Sequence, residues 1–275
     1  MPNFLRQGAL AFIKYQWQLF SLAVMFFSRL PVSNNIPYSA LRMNQANRYF
    51  SMVGLLIGGI LALVFYVIQP IFPLEVAIIL LMISSVLLTG AFHEDGLADM
   101  ADGMGGGYTV ENRLLIMKDS RIGTYGSVSL LLALLLKFYL LLILAQHGQL
   151  IFSLIFAYGL SRALAASLIF NTQYVSDSEG SKSKPLAAQQ SLTELLLNIV
   201  VAVLPCLFIK EIFPELFNIL LLTFVSLFIF RFCFRRWLIA RIGGFTGDCL
   251  GAAQQISELI IYLVFVSQLS HAGLS

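Results

Sequence analysis

Seven nearly unbroken apolar blocks divide the chain, at about 49–69, 74–92, 126–146, 150–170, 192–209, 216–234 and 256–270. Crossing about 30 Å of hydrocarbon at 1.5 Å per residue takes roughly 20 apolar residues as a helix, and the blocks approach that length. None alternates with a period of two, as transmembrane β-strands do. The pattern predicts an all-α fold: a polytopic transmembrane helix bundle of about seven spans, forming one integral membrane domain over residues 1–275. The last block is short for a span. An earlier stretch, Trp17 to Leu30, carries Arg29 and stops at Pro31. Too short for a comfortable span, it reads as an N-terminal interfacial or re-entrant helix. No small-residue cleavage site follows it, which speaks against a signal peptide.

Composition agrees. Apolar residues make up 59% and charged residues 11%, with a mean hydropathy of +0.85. A soluble domain is nearer half apolar and a quarter charged, so a water-soluble globule and a disordered chain are both excluded. The net charge of +3 is too small to argue for nucleic acid. Its placement says more. With the N-terminus inside, 15 of the 17 Lys and Arg residues fall on the cytoplasmic side, as the positive-inside rule requires. The outer connections, 70–73, 147–149 and 210–215, are very short. Three larger cytoplasmic connections remain: 93–125, 171–191 and 235–255. The middle one reads as a flexible linker or lid, whereas the other two are rich in glycine and acids and are the expected catalytic loops. Cys206, Cys233 and Cys249 show no ligand spacing and read as structural thiols. Gly54, Gly58 and Gly59 suggest a helix-packing face.

The chemistry concentrates after the second block, in His93-Glu94-Asp95-Gly96-Leu97-Ala98-Asp99-Met100-Ala101-Asp102-Gly103. Asp95, Asp99 and Asp102 stand at i, i+4 and i+7 and share one face of a helix. Three like charges on one face repel unless a cation sits among them. Carboxylate oxygen suits Mg²⁺, which often completes its shell with water and substrate phosphates. The competing reading is a solvated acidic face, but four of the chain's 14 acids fall within Glu94–Asp102, at the end of an apolar span. The run Gly103–Gly107 either cradles phosphate with its amides or ends the helix; it lacks the lysine and hydroxyl of a P-loop.

Lys118 and Arg121 are i, i+3 neighbours able to hold phosphate oxygens, or else positive-inside anchors. Asp248, within Gly243-Gly244-Phe245-Thr246-Gly247-Asp248-Cys249, is a lone acid among small residues. It reads as a site residue at a membrane boundary or as the N-cap of the last helix. His93 is the histidine beside the carboxylates; it could take a proton from a hydroxyl or serve as a hydrogen-bonding scaffold for an aspartate.

These elements resemble the cobalamin synthase family, the adenosylcobinamide-GDP ribazoletransferases. The likeness lies in His93–Gly103, in Ile116-Met117-Lys118-Asp119-Ser120-Arg121-Ile122-Gly123 and in Gly244–Ala252. Ser28-Arg29-Leu30-Pro31-Val32 and Ser161-Arg162 also look like family elements. The likeness runs from near residue 26 to near 260, with 171–191 departing most.

The resemblance implies a multi-pass enzyme of the bacterial inner membrane in vitamin B12 assembly. Its substrates would be adenosylcobinamide-GDP and α-ribazole or α-ribazole 5′-phosphate, its nucleotide product GMP, and its cofactor Mg²⁺. Asp95, Asp99 and Asp102 would hold the metal at the pyrophosphate; Lys118, Arg121 and Arg162 would share the phosphate charge, with His93 and Asp248 in the same site. A CDP-alcohol phosphotransferase is the nearest rival, but the Ala-Arg step of its aspartate motif is missing. A transporter would need ionisable groups near mid-bilayer, where the block pattern puts only Lys137.

Overall fold

The computed structural model describes residues 2–33, 35–176, 187–212 and 217–272. The central part of the expected linker, 177–186 with Lys182 and Lys184, lies outside the described residues. The described chain is a helical bundle: α1 (Pro2–Phe27), α2 (Ala40–Ala46), α3 (Phe50–Ile68), α4 (Leu74–Thr89), α5 (Phe92–Gly106), α6 (Val110–Lys118), α7 (Thr124–Gln146), α8 (Leu150–Ser167), α9 (Leu192–Ile212), α10 (Phe217–Ile242) and α11 (Gly247–Ala272). Six helices among the described residues are long and apolar enough to cross a membrane, or seven if α4 and α5 together make one broken span. Exposed side chains on these helices are large and apolar, such as Leu63, Tyr66, Leu87, Leu131 and Phe228. A surface of that kind is stable against lipid rather than water.

Two expectations need correction. The N-terminal helix is longer than the stretch from Trp17 to Leu30, and Gly8–Phe27 is 20 residues, enough to span. Its side-chain bonds go to α2 and the turn before α3: Tyr15 to Gln45, Arg42 to Gln18 at 2.8 Å and Tyr49 to Gln16 at 2.7 Å. It therefore flanks the entrance to α3. The last helix begins at Gly247 instead of near 256. Its first turns carry small and polar residues because they face protein: Gly251, Ala252, Ala253, Gln254 and Gln255 are all buried.

α8 is the central post of the bundle, with 83% of its apolar window covered by other helices. α3 lies directly on it because of two glycines. A Cβ on Gly54 would fall 2.1 Å from the Tyr158 carbonyl oxygen, and one on Gly58 would fall 3.1 Å from the Ile155 Cα. Gly59 faces open space and is not part of this contact.

The block pattern also undercounted the buried ions. Lys137 Nζ lies 2.7 Å from Glu258 Oε1 in a pair at most 5% exposed. Arg162 is 1% exposed and sits over the rings of Tyr158 and Phe50. It thus belongs to the interior rather than to the cytoplasmic loops.

Candidate active site

The site starts with a break. α4 stops at Gly90 (φ +68°), and Ala91 (φ +58°) is left-handed too. Two consecutive left-handed residues cannot continue a right-handed helix, so α5 leaves α4 at 86°. The Arg29 amide, just past α1, donates to the Leu88 carbonyl at 2.7 Å and ties α1 to the bend. The acidic stretch is therefore a helix of its own, lying across the end of the bundle.

α5 packs closely on α11 through a pair of glycines. A Cβ on Gly96 would meet the Asp248 carbonyl oxygen at 3.0 Å and the Gly251 Cα at 3.2 Å, while one on Gly251 would meet the Gly96 Cα at 3.2 Å. This approach brings Asp248 to the acidic helix although some 150 residues separate them. Asp248 is not the cap of α11. Thr246 fills that role, its Oγ1 accepting from the Cys249 amide at 3.3 Å. Its hydroxyl also lies 3.3 Å from Asp248 Oδ2, so the carboxylate is steadied by the cap instead of serving as it. The loop before it is pinned by a short parallel bridge: Phe245 N–H donates to Gln173 O at 2.9 Å and Val175 N–H to Phe245 O at 3.0 Å.

The three aspartates of α5 differ in surroundings. Asp95 is exposed and Asp99 half-buried. Asp102 is buried and accepts from the amides of Gly123 (2.6 Å) and Gly126 (2.8 Å) at the start of α7. A carboxylate there is favoured by the free amides and by the helix dipole. A side chain on either glycine would collide with it: the Cβ would lie 2.5 Å or less from a carboxylate oxygen. Asp102 is thus an anchor between α5 and α7.

Burial first, and then the charges of Asp95, Asp248, Asp102 and Asp119, push the Asp99 carboxyl up to about 7. The same dependence shows that five carboxylates converge on one region. Among the described residues, however, no three His, Cys, Asp or Glu side chains gather tightly enough to hold a metal ion by themselves.

A family model for cobalamin-5-phosphate synthase matches residues 19–266. The chain belongs to the cobalamin-5-phosphate synthase family. Relatives named adenosylcobinamide-GDP ribazoletransferase agree: the Vibrio parahaemolyticus protein is 57% identical over 257 residues, covering 94% of this chain and 95% of its own. The Vibrio cholerae protein is 54% identical over 261 residues (95% and 98% covered), and that of Shewanella amazonensis 49% over 255 (92% and 96%). No solved structure matches.

In this cobalamin-5-phosphate synthase family member, the remaining expected residues divide. Arg121 is displayed to solvent, its side chain 87% exposed, and pairs with Asp119 through Nη2 at 2.6 Å. It lies at the margin through Asp119, which sequence reasoning passed over. Lys118 ends α6 half-buried. His93 turns inward: it is 1% exposed and stacked near Phe27 and Phe50, and its Nε2 has no hydrogen-bond partner among the described residues. Arg162, expected at the phosphates, is buried instead. Of the two readings of the glycine run, the structure shows the helix end: Gly103–Gly106 complete α5 and Gly107 is its C-cap. A Cβ on Gly103 or Gly107 would strike Met117 or Arg113, so these glycines let α6 pack against α5. Cys206 and Cys249 are buried and Cys233 is exposed, all three as free thiols.

Proposed function

We propose that this chain is an adenosylcobinamide-GDP ribazoletransferase whose centre is built by Asp95 and Asp99 of α5 together with Asp248 of α11. The observation that carries this reading is the meeting of the two acidic elements at the Gly96–Gly251 contact, in a member of the cobalamin-5-phosphate synthase family. A ribose hydroxyl of α-ribazole, or of its 5′-phosphate, attacks the phosphorus bonded to the aminopropanol arm of the corrinoid. The new P–O bond forms as the bond to GMP breaks, and the hydroxyl proton passes to water.

The donor set suits Mg²⁺ bound through one or two carboxylates and completed by substrate oxygens, the ordinary mode for this ion at phosphates. Hard oxygen ligands, a half-buried Asp99 and mutual repulsion among five acids all favour a cation here, whereas the described residues offer no cage made of protein alone. When bound, Mg²⁺ would neutralise the pyrophosphate and stabilise the departing GMP oxygen. Asp95, Asp99 and Asp248 would hold it. Asp102 fixes α5 against α7, and Lys118 and Arg121 stand at the rim as phosphate partners.

The protein is a multi-pass membrane protein. In this reading it resides in the bacterial inner membrane with α5, α6 and the 243–248 loop facing the cytoplasm, on the side that collects most of its basic residues. The deciding experiment incubates the purified protein, in lipid, with adenosylcobinamide-GDP and α-ribazole, with and without Mg²⁺. GMP release together with a cobalamin product is expected only with the ion. GMP release at full rate in excess chelator would remove Mg²⁺ from the proposal.

A further inference from the structure

α5 cannot inherit its rotation from α4, because the left-handed pair Gly90–Ala91 interrupts the helix. Side contacts must set it. Successive residues on a helix are about 100° apart, so whatever holds Glu94 fixes the direction in which Asp95 points.

Glu94 is held from inside the bundle. It is 6% exposed, and its Oε1 accepts from Gln255 Nε2 at 3.1 Å. That nitrogen also donates to Gln254 Oε1 at 2.9 Å, and Gln254 Nε2 donates to Glu258 Oε2 at 2.7 Å and to Ser161 Oγ at 3.1 Å. Glu258 closes the chain on Lys137 at 2.7 Å, with the Tyr262 hydroxyl donating to it at 3.1 Å. One continuous buried path thus joins α5, α11, α7 and α8. Both Lys137 and Arg162 also feel the charge of Glu94. Two buried acids face two buried bases, so the cluster is neutral as a whole. Nothing in it reaches the exposed acidic face where the pyrophosphate would bind.

We propose that Glu94 is a positioning residue, and that the path Glu94–Gln255–Gln254–Glu258–Lys137 sets the rotation of α5 so that Asp95 and Asp99 face Asp248. The proposal rests on the transferase reading given above. Glu94 does not touch substrate; it acts through the helix that carries the aspartates.

The test compares Glu94→Ala, Glu94→Gln and Gln255→Leu in the full-length protein in lipid. Three quantities are measured: KM for adenosylcobinamide-GDP, kcat, and Mn²⁺ affinity by electron paramagnetic resonance, with thermal melting alongside. Glu94→Ala and Gln255→Leu should raise KM and weaken Mn²⁺ binding by at least about tenfold, since a misplacement on the order of 1 Å is costly at a reacting centre. Glu94→Gln keeps the acceptor oxygen for Gln255 and should recover both values to within about threefold, which a general loss of stability would not produce.

If Glu94→Ala does not insert, Gln255→Leu carries the test, because it adds no charge. A fall in kcat alone, with KM and Mn²⁺ affinity unchanged, would overturn the proposal, as would wild-type behaviour of Gln255→Leu. Wild-type protein that releases GMP without binding Mn²⁺ would sink the metal reading and leave the KM comparison to decide. Wild-type protein that binds Mn²⁺ but releases no GMP would sink the transferase reading and leave Mn²⁺ affinity to decide.

Discussion

Replacing Gly96 with alanine adds one methyl where α5 touches α11. The new Cβ would lie 3.0 Å from the Asp248 carbonyl oxygen, 3.2 Å from its Cα and 3.2 Å from the Gly251 Cα. All three are backbone atoms, so no side chain can swing away. Non-bonded heavy atoms settle at about 3.5–4.0 Å, and the helices must part by roughly half an ångström. Overpacking of this kind costs about 1–3 kcal/mol, offset by about 1 kcal/mol of improved helix propensity. The net loss of stability is therefore small, about 0–2 kcal/mol. Activity should suffer more, because the displaced backbone carries Asp248: a shift of that size in a reacting centre costs about tenfold or more in kcat/KM. Gly106→Ala is the control. Its Cβ would meet only Ile116 Cδ1, at an ordinary 3.5 Å, so melting and turnover should stay near wild type. GMP release and thermal melting of both variants in lipid provide the measurement. A Gly96→Ala enzyme with wild-type kcat/KM would refute the claim that this contact builds the site.

Asp102→Asn should lower the melting temperature of metal-free protein, because an amide cannot accept from both Gly123 and Gly126 as the carboxylate does; the loss is about 1.5–3 kcal/mol. Exposed Asp95→Asn should leave melting unchanged and still lose most turnover. The Asp99 carboxyl is raised from 3.8 to about 7, so the fold favours its protonated form. That contribution is full below about pH 4 and is lost as the pH climbs to about 7, on the order of 1–2 kcal/mol once partial solvent exposure is allowed for. Thermal melts of metal-free Asp99→Asn should accordingly fall less between pH 5 and pH 8 than those of wild type, and parallel curves would contradict this. Thr246→Val should cost about 1 kcal/mol in melting by removing the cap of α11, whereas Asp248→Asn should melt normally and lose turnover. Lys137→Met should destabilise by about 3–5 kcal/mol, and the double change Lys137→Met with Glu258→Gln, which keeps an acceptor for Gln254 and Tyr262, should restore part of that loss.

The bundle was legible in the sequence because lipid-facing helices must be apolar over a whole span. The start of α11 was not, since Gly247–Gln255 faces protein and no apolar run announces it. The shared face of Asp95, Asp99 and Asp102 follows from helical spacing alone. Spacing does not say which carboxylate meets a neighbouring helix, so the bond from Asp102 to the start of α7 was invisible. Asp248 could be linked to the cluster because small residues around a lone acid signal close approach. Arg162 and Glu258 were hidden for the opposite reason: their neutralising partners are distant in sequence, and Arg162 read alone resembles a cytoplasmic anchor.

The contact between Gly96 and Gly251 also dictates an order of assembly. α11 emerges from the ribosome about 140 residues after α5, a delay of roughly 7–28 s at ordinary synthesis rates of about 5–20 residues per second. Throughout that interval the acidic helix has neither Asp248 beside it nor Gln255 beneath Glu94. On the proposed reading, the membrane helices made first are in place before the second half of the centre exists, and α11 must dock to complete it. On that same reading, a nascent chain stalled before that point carries the α5 carboxylates without the Asp248 that completes the centre.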